Sequence, residues 1–377
     1  MTDTIFQPSL IECQRSAVND QPSFVNRHPS FVNFLHMENR TEIASLGEFG
    51  LIEHLTKNAE IQNASTILSI GDDAAVIDHF GKQTVISTDM LIEGIHFDLM
   101  YTPLRHLGYK SVVVNLSDIY AMNATPTHIT LSIAFSNRFS LEALNDFYDG
   151  VYAACEKYGV DLIGGDTTSS QKGFIISITA IGEIVTEKIV KRSGAQLGDL
   201  LCVTGDVGAA FLGLTLLERE KNIYLENPQI QPDLEDEKYI VGRLLKPEAR
   251  KDIIEFFEKE DLLPSSMMDV SDGLSSEILH ICKQSNVGCK LYEDKIPIHE
   301  QAKQFAYKLE LDPTACALSG GEDYELLFTI QQRDYDKLVL NEQVSVIGYI
   351  TDIEEGVHII TKGGSTHKLT AQGWNAF

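Results

Sequence analysis

From residue 47 onward the apolar positions fall into regular periods. Phe49, Ile52 and Leu55 follow helical spacing across 48–57. The apolar run 67–70 predicts a strand, followed by short strands over 75–77 and 84–87, the last ending at Asp89. Residues 104–122 predict a long helix. On it Ser111, Asn115 and Asp118 recur at i, i+4 and i+7, so they share one side among apolar Val114, Ile119 and Met122. Carboxylates in such surroundings are rarely left without a partner. A strand over 127–135, a helix over 141–158, a buried strand over 161–163 that ends in Gly164-Gly165-Asp166, and a strand over 174–184 complete the first half.

Residues 188–198 are basic and contain glycine, as a linker does. The second half predicts a strand over 200–203, a helix reaching Leu217, and a charged, proline-containing loop over 218–237. A helix over 248–257 leads to the apolar segment 266–270, and Ser271-Asp272-Gly273 starts another helix through Lys283. Strands follow at 326–330, 344–349 and 356–360. Antiparallel-looking strands mixed with helices in irregular order indicate an α+β fold, not a doubly wound parallel sheet. The expected organisation is an N-terminal extension over 1–46, an α+β domain over 47–187 and a second α+β domain over 188–377. Residues 1–36 have weak periodicity and a direct repeat, Pro22-Ser23-Phe24-Val25-Asn26 and Pro29-Ser30-Phe31-Val32-Asn33. They read as a disordered tail ahead of a functional start at Met37, and their removal is expected to leave folding and activity intact.

Charge narrows the function classes. A formal net charge of -25 opposes non-specific nucleic-acid binding and adhesion to anionic membranes. It leaves room for a phosphate-bearing substrate if metal ions bridge the repulsion. The six cysteines form no C-x-x-C pair and sit mostly in apolar stretches, so they read as buried thiols in a reducing compartment. Nothing approaches the ~18 apolar residues of a membrane span. The N-terminus lacks the pattern of a secretory signal. These features indicate a cytoplasmic protein.

Five short acidic stretches stand out: Gly71-Asp72-Asp73-Ala74-Ala75, Ser87-Thr88-Asp89, Asn115-Leu116-Ser117-Asp118, Gly164-Gly165-Asp166-Thr167-Thr168 and Asp269-Val270-Ser271-Asp272-Gly273. Each sets an Asp beside Gly, Ser or Thr at the edge of an apolar segment, as a turn would. Any one of them is an ordinary turn or cap. Five in one chain point to a shared cation site. Carboxylates ~4 Å apart repel by several kcal/mol at an effective dielectric near ~20, so their convergence requires cations or protonation. Oxygen-only ligation is Mg²⁺ chemistry, and Mg²⁺ completes its shell with water and substrate phosphates. Arg192, in Lys191-Arg192-Ser193-Gly194, is the leading cation for a phosphate. The chain has no G-x-x-x-x-G-K-[ST] loop, no protein-kinase catalytic loop, no H-E-x-x-H, and no G-x-G-x-x-G joining a strand to a helix.

These stretches, with Gly47-Glu48-Phe49, Gly94-Ile95-His96-Phe97, Arg192-Ser193-Gly194-Ala195 and Ser319-Gly320-Gly321-Glu322-Asp323-Tyr324-Glu325, follow a recognisable order. From about Gly47 to Phe377 the chain resembles the thiamine-monophosphate kinases of the aminoimidazole-ribonucleotide-synthetase-like superfamily. The resemblance implies a two-domain α+β kinase that moves phosphate directly from ATP to thiamine monophosphate, with no phosphoenzyme and hence no covalent catalytic residue. It also implies a homodimer built on the N-terminal domains, which carry the metal and ATP site. Carried over by motif, the Mg²⁺ ligands are Asp73, Ser87, Thr88, Asp89, Asp118, Asp166, Asp269 and Asp272. Asp72 is left as a turn residue or a support for Asp73. Nucleotide contacts are Tyr148, Gly165, Asp166, Arg192 and Ser271, and substrate contacts are His96, Glu322 and Trp374. The C-terminal Gly373-Trp374-Asn375-Ala376-Phe377 fits a looser form of the family pattern. Alternatives are a sister enzyme such as aminoimidazole ribonucleotide synthetase, or an acidic metal-binding scaffold. No Cys sits in a glycine-rich N-terminal loop and none ends the chain, which disfavours the selenophosphate synthetase and hydrogenase-maturation branches.

Overall fold

β3 (Gln83–Ile92) is the strand on which the first half is laid out, and it follows a small antiparallel pair, β1 (Thr66–Leu68) and β2 (Val76–Ile77). With β4 (Thr125–Phe135), β5 (Asp161–Ser169) and β6 (Ile175–Ile184) it forms a four-stranded sheet in the order β3-β6-β4-β5. Only β4 and β5 pair in parallel, and helix α2 (Leu141–Tyr158) makes the crossover between them. The computed structural model describes residues 51, 54–69, 76–232 and 234–371. The extension over 1–46, Asp72-Asp73 and Trp374 lie outside these residues.

Helix α1 (Leu104–Ala121) and α2 cover one face of the sheet. Ile129, Leu131 and Ile133 of β4 and Ile176, Ile178 and Ala180 of β6 share a core with Leu116 and Leu144 of the helices. The two helices cross in contact. A Cβ on Gly108 would lie 1.9 Å from the Phe147 carbonyl oxygen, so only glycine fits there. Ser140 caps α2 by accepting from the Ala143 N–H at 3.3 Å, and Gly159 ends it in a left-handed conformation. The opposite face of the sheet, which carries Ile86, Thr88 and Met90, is open: Ile86 is 65% and Met90 53% exposed.

A second sheet comprises β7 (Leu200–Thr204), β8 (Ser266–Asp269), β9 (Gly288–Tyr292), β10 (Leu326–Ile330), β11 (Val344–Thr351), β12 (Val357–Ile360) and β13 (Thr366–Lys368). Its order is β13-β12-β9-β11-β7-β10-β8, and only β9 and β12 pair in parallel. Around it run α3 (Ala209–Glu226), α4 (Lys238–Leu245), α5 (Lys251–Lys259), α6 (Leu274–Ser285), α7 (Glu300–Lys308) and α8 (Pro313–Ser319). This mixture is α+β, as the sequence pattern predicts.

Three local expectations fail. Residues 164–168 are not a turn but the middle of β5, which pairs along its length with β4. Turn-type residues are tolerated there because β5 is an edge strand with a single neighbour and its pairing shifts register at Ile129/Thr130. Likewise Ser87-Thr88-Asp89 does not end its strand, since β3 runs on to Ile92, whereas Asn115–Asp118 lies within α1 as its helical period predicts. Finally, α3 continues through Glu226, well past Leu217. Its charged stretch is tied back by Lys221 to Asp98 at 2.7 Å and Glu218 at 3.1 Å. The five described cysteines are free and buried. Among the described residues no helix is long and apolar enough to cross a membrane.

Candidate active site

Three of the five acidic stretches meet where α1 passes between β3 and β8. Register pairs Ser87 with Ala180 and Asp89 with Ile178, both core residues, so Ser87 and Asp89 face the helix layer. Ser87 Oγ donates to Asp118 at 2.5 Å, and the Asp89 N–H donates to Asn115 Oδ1 at 2.9 Å. Asn115 is fixed in turn by donating its amide to the Ser111 carbonyl at 2.9 Å. The polar stripe read from helical periodicity is therefore a clamp on β3. On the neighbouring side of the helix, Ser117 Oγ donates to Asp269 at 2.7 Å, joining α1 to the end of β8 across 152 positions of sequence.

The resulting group of carboxylates is electrostatically uncomfortable. Burial, then the charges of Asp118 and Glu322, push Asp89 up to about 6, although its side chain keeps access to solvent. Burial also raises Asp118, against the Ser87 hydrogen bond and the field of Arg192. Asp269 is 3% exposed and is raised by burial and then by Asp118. Arg192, exposed on the coil between the sheets, offsets part of this repulsion. Among the described residues, no three carboxylate, imidazole or thiol groups converge closely enough to hold an ion unaided. The donor set nonetheless fits Mg²⁺. It is all oxygen, it carries excess negative charge, and Mg²⁺ needs only one or two protein carboxylates besides water and phosphate.

The segment 269–272 is zipped to 321–325 through backbone bonds. The Val270 N–H donates to the Glu325 carbonyl at 2.8 Å, the Tyr324 N–H to Val270 at 2.9 Å, and the Glu322 N–H to Ser271 at 2.8 Å. The chains approach so closely that a Cβ on Gly321 would lie 2.2 Å from the Ser271 carbonyl oxygen. Glu322 and Tyr324 adopt left-handed backbone at φ 69° and 53°, a conformation that costs about 1–3 kcal/mol per residue and persists only where neighbours enforce it. Those neighbours are visible. Buried Asp323 accepts from the Gly208 N–H at 2.7 Å at the start of α3. Glu325 pairs with Arg250 and, at 3.0 Å, with Arg243, and accepts from Thr204 Oγ1 at 2.5 Å. Beside Asp272, Glu277 accepts its N–H at 2.9 Å, and burial pushes that glutamate up to about 8.

The remaining predicted residues are placed as follows. His96 lies just after β3, and its Nδ1 accepts the Ile92 N–H at 3.1 Å; burial lowers its pKa, against the charge of Glu322. Ser271 and Asp272 form the bend before α6. Thr88 turns to the open face of the sheet and donates to the Ile178 carbonyl at 3.0 Å. Asp166 pairs with Ser132 on that same open face, three strands from β3, which is roughly 14 Å at ordinary strand spacing. Within one chain it is thus not gathered with Asp89, Asp118 and Asp269. Gly165 lies opposite Leu131 in the same strand pair. Tyr148 is buried in the α2 core against Phe147 and Tyr152 and pushed up to about 12. Sequence reasoning missed Lys110, Ser117, Arg243, Arg250 and Glu277. For Lys110 a signal existed, a lysine inside the apolar helical stretch Leu107–Val114, whereas the arginines showed none.

Residues 71–184 match the family model for AIR synthase related protein, N-terminal domain. Thiamine-monophosphate kinase of Aquifex aeolicus (strain VF5) is 33% identical over 89% of this chain and 99% of its own. The crystal structure of thiamine-monophosphate kinase from Stenotrophomonas maltophilia K279a superposes with a TM-score of 0.72 at 32% identity, covering 86% of this chain and 98% of that one. AaThiL complexed with AMPPCP and TMP gives a TM-score of 0.68 at 32% identity, covering 89% and 98%. The chain belongs to the thiamine-monophosphate kinase family.

Proposed function

We infer that this protein is a thiamine-phosphate kinase, moving the γ-phosphoryl group of ATP onto thiamine monophosphate to give thiamine diphosphate and ADP. The observation that supports it most is the convergence of Asp89, Asp118 and Asp269, from three distant stretches, with Arg192 beside them. A relative at 32% identity is known with AMPPCP and TMP bound.

The chemistry that Mg²⁺ would supply here is positive charge against the polyphosphate and the transferring group. Asp89, Asp118 and Asp269 would hold the ion, with Asp73 and Asp272 as further ligands from their motifs. Ser87 and Ser117 orient two of the carboxylates, and Asn115 fixes the backbone that carries the third. Arg192 faces this group and is suited to grip phosphate. The attacking phosphate monoester is mostly ionised at neutral pH, so direct in-line transfer needs no strong general base. Glu322 supplies a carboxylate for the cationic thiazolium, and His96, whose pKa burial lowers, a hydrogen-bonding edge.

The open sheet face with Ile86 and Met90 supports a homodimer of first-half domains, over 47–187, with 188–377 as the second domain. Pairing there would give Asp166 and Thr88 a role across the interface. Sedimentation of Ile86→Lys/Met90→Lys should then show monomers where the parent protein shows dimers, and dimers in both would refute the pairing. The site lies in a protein read as cytoplasmic.

The test of function is ADP release with magnesium, ATP and thiamine monophosphate, run against aminoimidazole-ribonucleotide precursors. Turnover with thiamine monophosphate alone is expected, and its absence would overturn the assignment.

A further inference from the structure

Lys110 lies on α1 in the first half of the chain, only 4% exposed, yet its ammonium reaches across to the second half. Its Nζ donates to the Leu244 carbonyl at 3.0 Å and forms an ion pair with Glu322. Leu244 lies in α4, whose preceding residue, Arg243, donates to the Asp323 carbonyl at 3.2 Å. One short helix therefore holds both the lysine and the left-handed backbone that presents Glu322.

The glutamate needs such a hold. Its side chain is 31% exposed, its backbone is strained, and its field reaches Asp89, so like charge opposes its presence near the carboxylate group. Tyr324 adds a weaker restraint by donating to its Oε1 at 3.2 Å. A carboxylate that is to meet a cationic ring must be held in one orientation, and a lysine that approaches it from the buried side does this.

We propose that Lys110 is a positioning residue that fixes the Glu322 carboxylate for the cationic moiety of the substrate, through an ion pair anchored on α4. This rests on the reading of Glu322 as a substrate contact. It assigns Lys110 no contact with ATP, and so predicts an effect confined to one substrate.

The test is a cycle of Lys110→Met, Glu322→Gln and the double variant, with KM for each substrate and kcat measured separately. Lys110→Met should raise the KM for thiamine monophosphate about tenfold while the KM for ATP stays within about twofold. In the Glu322→Gln background the same change should alter it by less than about twofold, because the lysine has nothing left to hold. Equal KM increases in both backgrounds, or no increase in either, would overturn the proposal. If Glu322→Gln alone leaves the thiamine monophosphate KM unchanged, the substrate role of Glu322 fails, and the role of Lys110 with it. Should Lys110→Met not fold, the double variant, free of the unpaired carboxylate, is compared with Glu322→Gln instead. Matching KM values then support the ion-pair role, and a higher value in the double variant contradicts it.

Discussion

Two groups of carboxylates flank the backbone pairing of 269–272 with 321–325, and the chain treats them oppositely. Glu325 meets two arginines and a threonine hydroxyl, and Asp323 caps a helix. Asp118 and Asp269 receive one serine each, and Arg192 offsets only part of their repulsion. Folding alone would favour the first arrangement everywhere, since an unpaired buried carboxylate is destabilising. The second is what a site looks like when its missing charge arrives with the substrate. The contrast separates carboxylates that hold the fold from those proposed to hold magnesium, although both lie within motifs of the same appearance.

Breaking the compensated group should have the larger effect on stability. Glu325→Gln leaves Arg243 and Arg250 without their carboxylate, and a loss of about 3–5 kcal/mol is expected in urea unfolding. A loss below about 1 kcal/mol would mean that the arginines find other partners. Breaking the uncompensated group should do the reverse. Asp118→Asn is expected to cut turnover at least ~100-fold, a matter of several kcal/mol of charge stabilisation, without lowering the unfolding midpoint in metal-free buffer. Near-normal turnover would remove Asp118 from the site.

The pH dependence sharpens the same distinction. Asp89 is raised from 3.8 to about 6 in the folded protein, so the folded state binds more protons than the unfolded one between those values. Its contribution to stability is therefore present at low pH, is lost as pH rises toward about 6, and stays flat above that. Thermal melts in chelator should show this slope, and Asp89→Asn should flatten it; an unchanged slope would place its origin elsewhere. The smallest effect belongs to Ser117→Ala. It removes one hydrogen bond to Asp269, worth about 1 kcal/mol, so a small drop in the melt and a loss of turnover no greater than roughly fivefold are expected.

The residues differ in how readable they were. The stripe Ser111–Asn115–Asp118 was legible because a 3.6-residue period forces those positions onto one side of a helix. Its partners on β3 were not, nor was the contact of Ser117 with Asp269 on β8, since tertiary packing alone brings them together. Gly164-Gly165-Asp166 misled because glycine and aspartate favour turns, while an edge strand can accept them. The direction in which Asp166 points is decided by strand register, which the local sequence does not encode. The order of the acidic motifs did identify the family and singled out Glu322, but nothing in the sequence showed that Glu325 holds two arginines.

The central claim is that Asp118 and Asp269 stay uncompensated so that magnesium and nucleotide can complete them. Calorimetric titration of the protein with MgATP, beside Asp118→Asn and Glu325→Gln, tests this directly. Heat from tight binding should appear in the parent protein, vanish in Asp118→Asn, and persist in the folded fraction of Glu325→Gln. Unchanged magnesium-dependent binding in Asp118→Asn would contradict the account.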